Sequence, residues 1–136
     1  MLKTERILLI ENNPEDATNI LGTIKALNNL YKWHHSKTTE EALQYLQSKT
    51  ILPQLIIFGL EQDEQNSIEF LKTIKSDNKL KKIPIVMISS SENNTHVLES
   101  FHYGVAGYMV KTNDLSELKN LIDTIMRYWN MCELPH

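Results

Sequence analysis

The sequence predicts a doubly wound α/β fold, on two observations. Four short runs are apolar on consecutive residues, Ile7–Ile10, Leu55–Phe58, Ile85–Ile88 and Tyr108–Val110. Such runs suit parallel strands covered on both faces, because crossover helices shield each side of the sheet. Between them lie segments whose apolar residues recur at helical spacing, so strand and helix alternate five times along the chain. That alternation, with right-handed crossovers, leaves few topologies open.

Taken in order, the first strand is Ile7–Ile10. Pro14 then opens a helix whose face carries Ala17, Ile20, Leu21, Ile24 and Leu27. Proline fits a first helical turn because the missing N–H has no partner there in any case. Lys32–Ser36 is more polar than the other strands and reads as an edge strand. Thr39, with Glu40 to Leu46, gives the second helix. Leu55–Phe58 is the third strand, followed by a helix carrying Ile68, Leu71 and Ile74. Ile85–Ile88 precedes a fourth helix marked by Val97, Leu98 and Phe101. Tyr108–Val110 leads into a long last helix carrying Leu118, Leu121, Ile122, Ile125 and Trp129, with Asn113 or Asp114 as its cap. No linker, repeat or low-complexity stretch divides residues 1–136, so one domain is expected.

Composition excludes several function classes. A chain of 136 residues with 41% hydrophobic and 23% charged residues can bury a core and is not disordered by composition. Its formal charge of −3 argues against a nucleic-acid binder, which carries a basic stripe. Lys72, Lys75, Lys79, Lys81 and Lys82 straddle a helix end and a loop, and read as a solvated face. No apolar run approaches the roughly 20 residues needed to span a bilayer. The lone Cys132 and the absence of a signal peptide point to a reducing cytoplasm.

Several constellations dissolve on spacing. His34 and His35 are adjacent in a strand and face opposite ways. His96 and His102 are too far apart on a helix to share a metal. Gly104 and Gly107 do not follow the first strand, as a dinucleotide fingerprint requires, and Ser89–Ser91 lacks the glycines of a nucleophile elbow. No enzyme activity is expected.

In a doubly wound sheet the functional crevice lies past the carboxyl ends of the strands, at the switch point of their order. The residues there are Ile-Glu-Asn-Asn-Pro at 10–14, Gly59 after Leu55–Phe58, the serines at 89–91, and Lys111. In these positions, and over essentially its whole length, the chain resembles the response-regulator receiver domains (CheY-like). Its tail, with Tyr128-Trp129 and Leu134-Pro135, resembles the single-domain type that partners bacterial phytochromes. The resemblance implies a five-stranded sheet in the order 2-1-3-4-5 with five helices, and a role in two-component, phosphorelay signal transduction. It also argues against flavodoxin, since the acidic turn Glu11–Asp16 would repel a flavin phosphate.

The resemblance gives each site residue an expected role. Gly59 stands where a receiver carries its phosphoacceptor aspartate, and a glycine cannot form an acyl phosphate. Glu11, Asn12 and Glu61 match the pocket that holds magnesium in the family. One of its two acidic positions is here an amide, and Glu61 matches a position that offers only a backbone carbonyl. With Gly59, a single clear carboxylate remains, so magnesium binding is expected to be weak or absent and no cofactor is implied. Ser89 matches the hydroxyl that binds the phosphoryl group, Lys111 the lysine that pairs with it, and Tyr108 the aromatic that turns inward with the hydroxyl. Asp63, Ser67 and Thr112 also depart from type, replacing a proline, a glycine and a proline.

Two carboxylates about 5 Å apart at an effective dielectric near 20 repel by roughly 3 kcal/mol. Loss of one at position 59 exceeds the roughly 0.5–1 kcal/mol of backbone freedom that a glycine costs. The site is therefore expected to be stable without metal or phosphate, with Lys111 turning to Glu11. The expected function is a phosphorylation-independent pseudo-receiver acting through protein contacts with a sensor histidine kinase or other signalling protein. A homodimer is expected through the fourth helix, fifth strand, fifth helix and carboxyl tail. Two alternatives stay open: a phosphorylatable receiver using Asp63 or Glu61, and a small-ligand binder in the crevice that the missing side chain leaves beneath Gly59.

Overall fold

The computed structural model describes residues 2–59, 64–90 and 93–134. Strands β1 (Arg6–Ile10), β2 (Lys32–Ser36), β3 (Leu55–Phe58), β4 (Ile85–Ser89) and β5 (Gly107–Val110) alternate with helices α1 (Pro14–Leu27), α2 (Thr39–Ser48), α3 (Glu64–Ser76), α4 (Asn94–His102) and α5 (Leu115–Met131). The sheet is parallel throughout and runs β2-β1-β3-β4-β5, the order that the family resemblance implies.

Two cores form because successive strand residues point to opposite faces. Leu8, Ile10, Ile56, Phe58 and Met87 meet Leu46 of α2 and Ile68, Leu71 and Ile74 of α3. Ile7, Leu9, Ile57 and Ile88 meet Ala17, Ile20 and Ile24 of α1 and Leu118, Ile122, Ile125 and Met126 of α5. Helix starts are fixed by side-chain caps on orphan N–H groups: Asn13 on Asp16, Thr38 on Glu41, Asn93 on Thr95, and Asp114 on Ser116 and Glu117. Asp114 rather than Asn113 is thus the cap of α5. The helix ends against the amino-terminal segment, where Thr4 donates its N–H to Asn130 Oδ1 (2.9 Å) and its hydroxyl to the Trp129 carbonyl (3.0 Å).

Two expectations about burial need correction. Tyr108–Val110 reads as a strand covered on both faces, yet β5 is half-buried and Val110 is exposed, because β5 closes one edge of the sheet. More instructive is α4. Its apolar residues Leu98 and Phe101 are 61% and 50% exposed, and the side chains it buries are His96 and Ser100. Among the described residues α4 contributes no buried apolar side chain to either core. The helix ends at Gly104, whose φ of 82° lies in the left-handed region that glycine tolerates.

Candidate functional site

Glu11 and Gly59 lie one residue past the ends of β1 and β3, neighbouring strands whose crossovers leave on opposite sides of the sheet. The Gly59 N–H donates to the Ile10 carbonyl (2.7 Å) and the Glu11 N–H to that of Ser36 (3.1 Å), so pairing fixes both backbones. Gly59 has no left-handed φ, so conformation does not require a glycine here. Space does. A Cβ at position 59 would overlap Glu11 Oε1 and lie 3.2 Å from Glu11 Cδ. The Glu11 carboxylate stands where a side chain on residue 59 would begin. Glu11 therefore occupies the space next to Gly59 in which the ligand-binding alternative places its crevice.

Glu11 is 1% exposed and held on both oxygens. Oε2 accepts the Asn13 N–H (3.1 Å), and Lys111 Nζ lies 3.4 Å from Oε1. Lys111 comes from the other side of the sheet switch. Its N–H donates to the carbonyl of Ser89, the last residue of β4, at 2.8 Å. Its ammonium also reaches Asp16 Oδ2 in the first turn of α1, at 2.7 Å. Lys111 does turn to Glu11, as the sequence suggests, but its shorter contact is to Asp16. Burial pushes the Glu11 carboxyl up from 4.5 to about 7, against the Asn13 N–H and the Lys111 charge, while the Asp16 charge adds to the rise. The Glu11 carbonyl faces His35 Nε2 at 2.8 Å. A carbonyl only accepts, so that nitrogen carries the proton.

The remaining expected residues differ in placement and role. Asn12 is exposed. Ser89 is buried at the end of β4. Tyr108 packs inward against the core shared with α3, and its hydroxyl is 2.8 Å from His96 Nδ1. His96 Nε2 in turn meets Ser67 Oγ of α3 at 2.8 Å. Glu61, Asp63 and Ser91 lie outside the described residues.

Asp16, His96 and Ser67 escape sequence reasoning. Asp16 carries one usable signal, an acidic residue in the first turn of a helix that starts just past Glu11. His96 carries none, since helical periodicity assigns it to the polar face. Among the described residues, no group of three or more His, Cys, Asp or Glu side chains could hold a metal ion. No described helix is long and apolar enough to cross a membrane.

Residues 7–123 match the family described as the response regulator receiver domain. The chain is similar to response regulator Rcp1 of Synechocystis sp., with 26% identity over 128 residues that cover 90% of this chain and 87% of the relative. It is also similar to the probable methanogenesis regulatory protein FilR2 of Methanothrix harundinacea, at 25% over 127 residues, 90% of this chain and 82% of the relative. Among solved structures, the phosphorylated cyanobacterial phytochrome response regulator RcpA superposes with a TM-score of 0.90 at 28% identity, over 98% of this chain and 99% of that one. The Mn(2+)-bound form of Rcp1 gives a TM-score of 0.87 at 25% identity, over 97% of this chain and 99% of that one.

Proposed function

The chain belongs to the response-regulator receiver family of two-component signalling, and we propose that within it this protein is a pseudo-receiver that signals by contact rather than by phosphoryl transfer. One observation carries this reading: the Glu11 carboxylate fills the place that an acceptor side chain on residue 59 would occupy. The lost acceptor and the inward turn of Glu11 are then two halves of one change. The phosphorylated and Mn(2+)-bound states of RcpA and Rcp1 are properties of those proteins, and transfer here only if the pocket suits them.

The fit to a divalent metal is poor. Magnesium requires near-octahedral oxygen ligands at about 2.0–2.1 Å. Here the Lys111 ammonium lies between Glu11 and Asp16, so a cation of the protein's own already bridges the two carboxylates. We infer weak or absent magnesium binding, and no catalytic activity at the site. The protein would act in the cytoplasm, without nucleic acid.

Receiver domains interact with sensor kinases and other signalling partners. In this chain the exposed apolar residues Leu98 and Phe101 of α4, Val110 of β5 and Leu115 of α5 support a contact surface on that side. Tyr128 and Met131 near the end of α5 are exposed as well, on another face of that helix. The occupant of the contact surface would be a sensor histidine kinase or a second copy of the chain.

The deciding experiment exposes the protein to a small phosphodonor with magnesium and measures its intact mass. No change is expected. A gain of about 80 Da, labile in base and stable in acid, would mean that a carboxylate such as Asp63 or Glu61 serves as a substitute acceptor, and the pseudo-receiver reading would fall.

A further inference from the structure

The helix α4 is inside out. It turns Leu98 and Phe101 to solvent and points His96 (4% exposed) and Ser100 at the protein. Apolar burial, the ordinary force that docks a helix, is nearly missing from its inner face. Hydrogen bonds hold that face instead, and they converge on one imidazole.

His96 Nε2 is 2.8 Å from Ser67 Oγ on α3, and Nδ1 is 2.8 Å from the Tyr108 hydroxyl on β5. The imidazole and Tyr108 rings meet edge to face, with centroids 5.6 Å apart at 73°. Ser100, one turn on, donates its hydroxyl back to the His96 carbonyl (2.8 Å). A neutral imidazole offers one donor and one acceptor, and each hydroxyl can act as either. Both tautomers therefore satisfy the bridge, with the direction of donation reversed. The bridge spans three elements, and its α3 end lies in the first turns of the helix that follows Gly59.

From this geometry we propose that His96 is a latch: a positioning residue whose two hydrogen bonds seat α4 on α3 and Tyr108, and so set how the Leu98–Phe101 face is presented. A shift of Ser67 with the start of α3, or of Tyr108 with β5, breaks the bridge and loosens α4 without any covalent step. The same equilibrium works in reverse, so a partner gripping the outer face of α4 changes the seat of α3. The consequence for signalling rests on the contact surface proposed above; the latch itself does not.

Hydrogen exchange on the full chain tests it, with the variants His96→Phe, His96→Gln, Tyr108→Phe and the double variant His96→Phe/Tyr108→Phe. Phenylalanine keeps a ring and removes both bonds, whereas glutamine retains one donor and one acceptor. His96→Phe is expected to speed exchange at the amides of residues 97–102 by about tenfold, while residues 118–126 of α5 change little. His96→Gln should recover most of the protection. Tyr108→Phe should cost less on the His96→Phe background than alone, since both substitutions remove the His96–Tyr108 bond. If His96→Phe does not fold, the contrast between His96→Gln and Tyr108→Phe carries the test.

Equal acceleration in α4 and α5 would make His96 an ordinary core residue and overturn the latch, as would additive effects of the two substitutions. Sedimentation of the same variants separates the two readings. Looser α4 with altered self-association supports both. Looser α4 with unchanged self-association supports the latch and counts against a second copy of the chain as occupant of the surface.

Discussion

The pocket at Gly59 and the helix α4 both turn polar side chains inward, and they differ in what is left outside. At the pocket, Glu11, Lys111 and Asp16 pair with one another, and Glu11 fills the room that another side chain would need. On α4, His96 and Ser100 are engaged within the protein, but Leu98 and Phe101 remain in water. In the first region the described charges pair with one another. The second has an apolar face without a partner, and protein surfaces keep such faces where something binds. The two regions differ in what their inward polar groups leave behind: paired charges at the pocket, and an exposed apolar face on α4.

The sharpest way to break this contrast is to refill the pocket. At pH 8, where Glu11 is ionised, Gly59→Asp should cost about 3 kcal/mol, chiefly from like-charge repulsion with the displaced Glu11 carboxylate. Urea unfolding in metal-free buffer would measure it, and Glu11→Ala on the same background should restore most of the loss. A Gly59→Asp protein as stable as the parent would mean that Glu11 does not guard the pocket.

A smaller effect follows from acidity. The folded protein holds the Glu11 proton up to about pH 7, whereas the ordinary value for the unfolded chain is 4.5. The folded state therefore binds more protons between those values, and stability should fall by about 2–3 kcal/mol as pH rises through that window. Asp77 and Asp114, both held below their ordinary 3.8 by hydrogen bonds, act oppositely and lose their contribution as the solution becomes more acid than that. Glu11→Gln should flatten the slope between pH 4.5 and 7. A slope that survives the substitution comes from another group.

The smallest effect on stability, and the most specific, belongs to the other region. Leu98→Asp with Phe101→Asp should leave the unfolding free energy within about 0.5 kcal/mol of the parent, since both residues are exposed. The pair should abolish self-association in sedimentation at high micromolar concentration. A parent chain that is monomeric there would remove the homodimer and leave only a different partner for this face.

Most of the fold was legible because it depends on short-range pattern. Consecutive apolar residues such as Leu55–Phe58 need cover on both faces wherever they fall, and Leu118, Ile122 and Ile125 share a face by helical geometry alone. The same rule misled at α4, where Val97, Leu98 and Phe101 form a stripe as regular as that of α5. Periodicity shows that a helix has an apolar face, and says nothing about whether that face meets the protein or a partner. The site was legible in part, because residues just past strand ends converge once the sheet order is known. Glu11, Gly59, Ser89 and Lys111 are of that kind.

The sequence by itself determined the alternation of strands and helices and the glycine at position 59, since these follow from residue identity and local spacing. Only the tertiary structure decided that Glu11 turns into the place beside Gly59, that Lys111 reaches Asp16, and that His96 joins Ser67 to Tyr108. Those outcomes depend on which side chains from distant segments face one another across a packed interior, and on the rotamer each must take to satisfy a buried charge or hydroxyl. No local pattern encodes that choice.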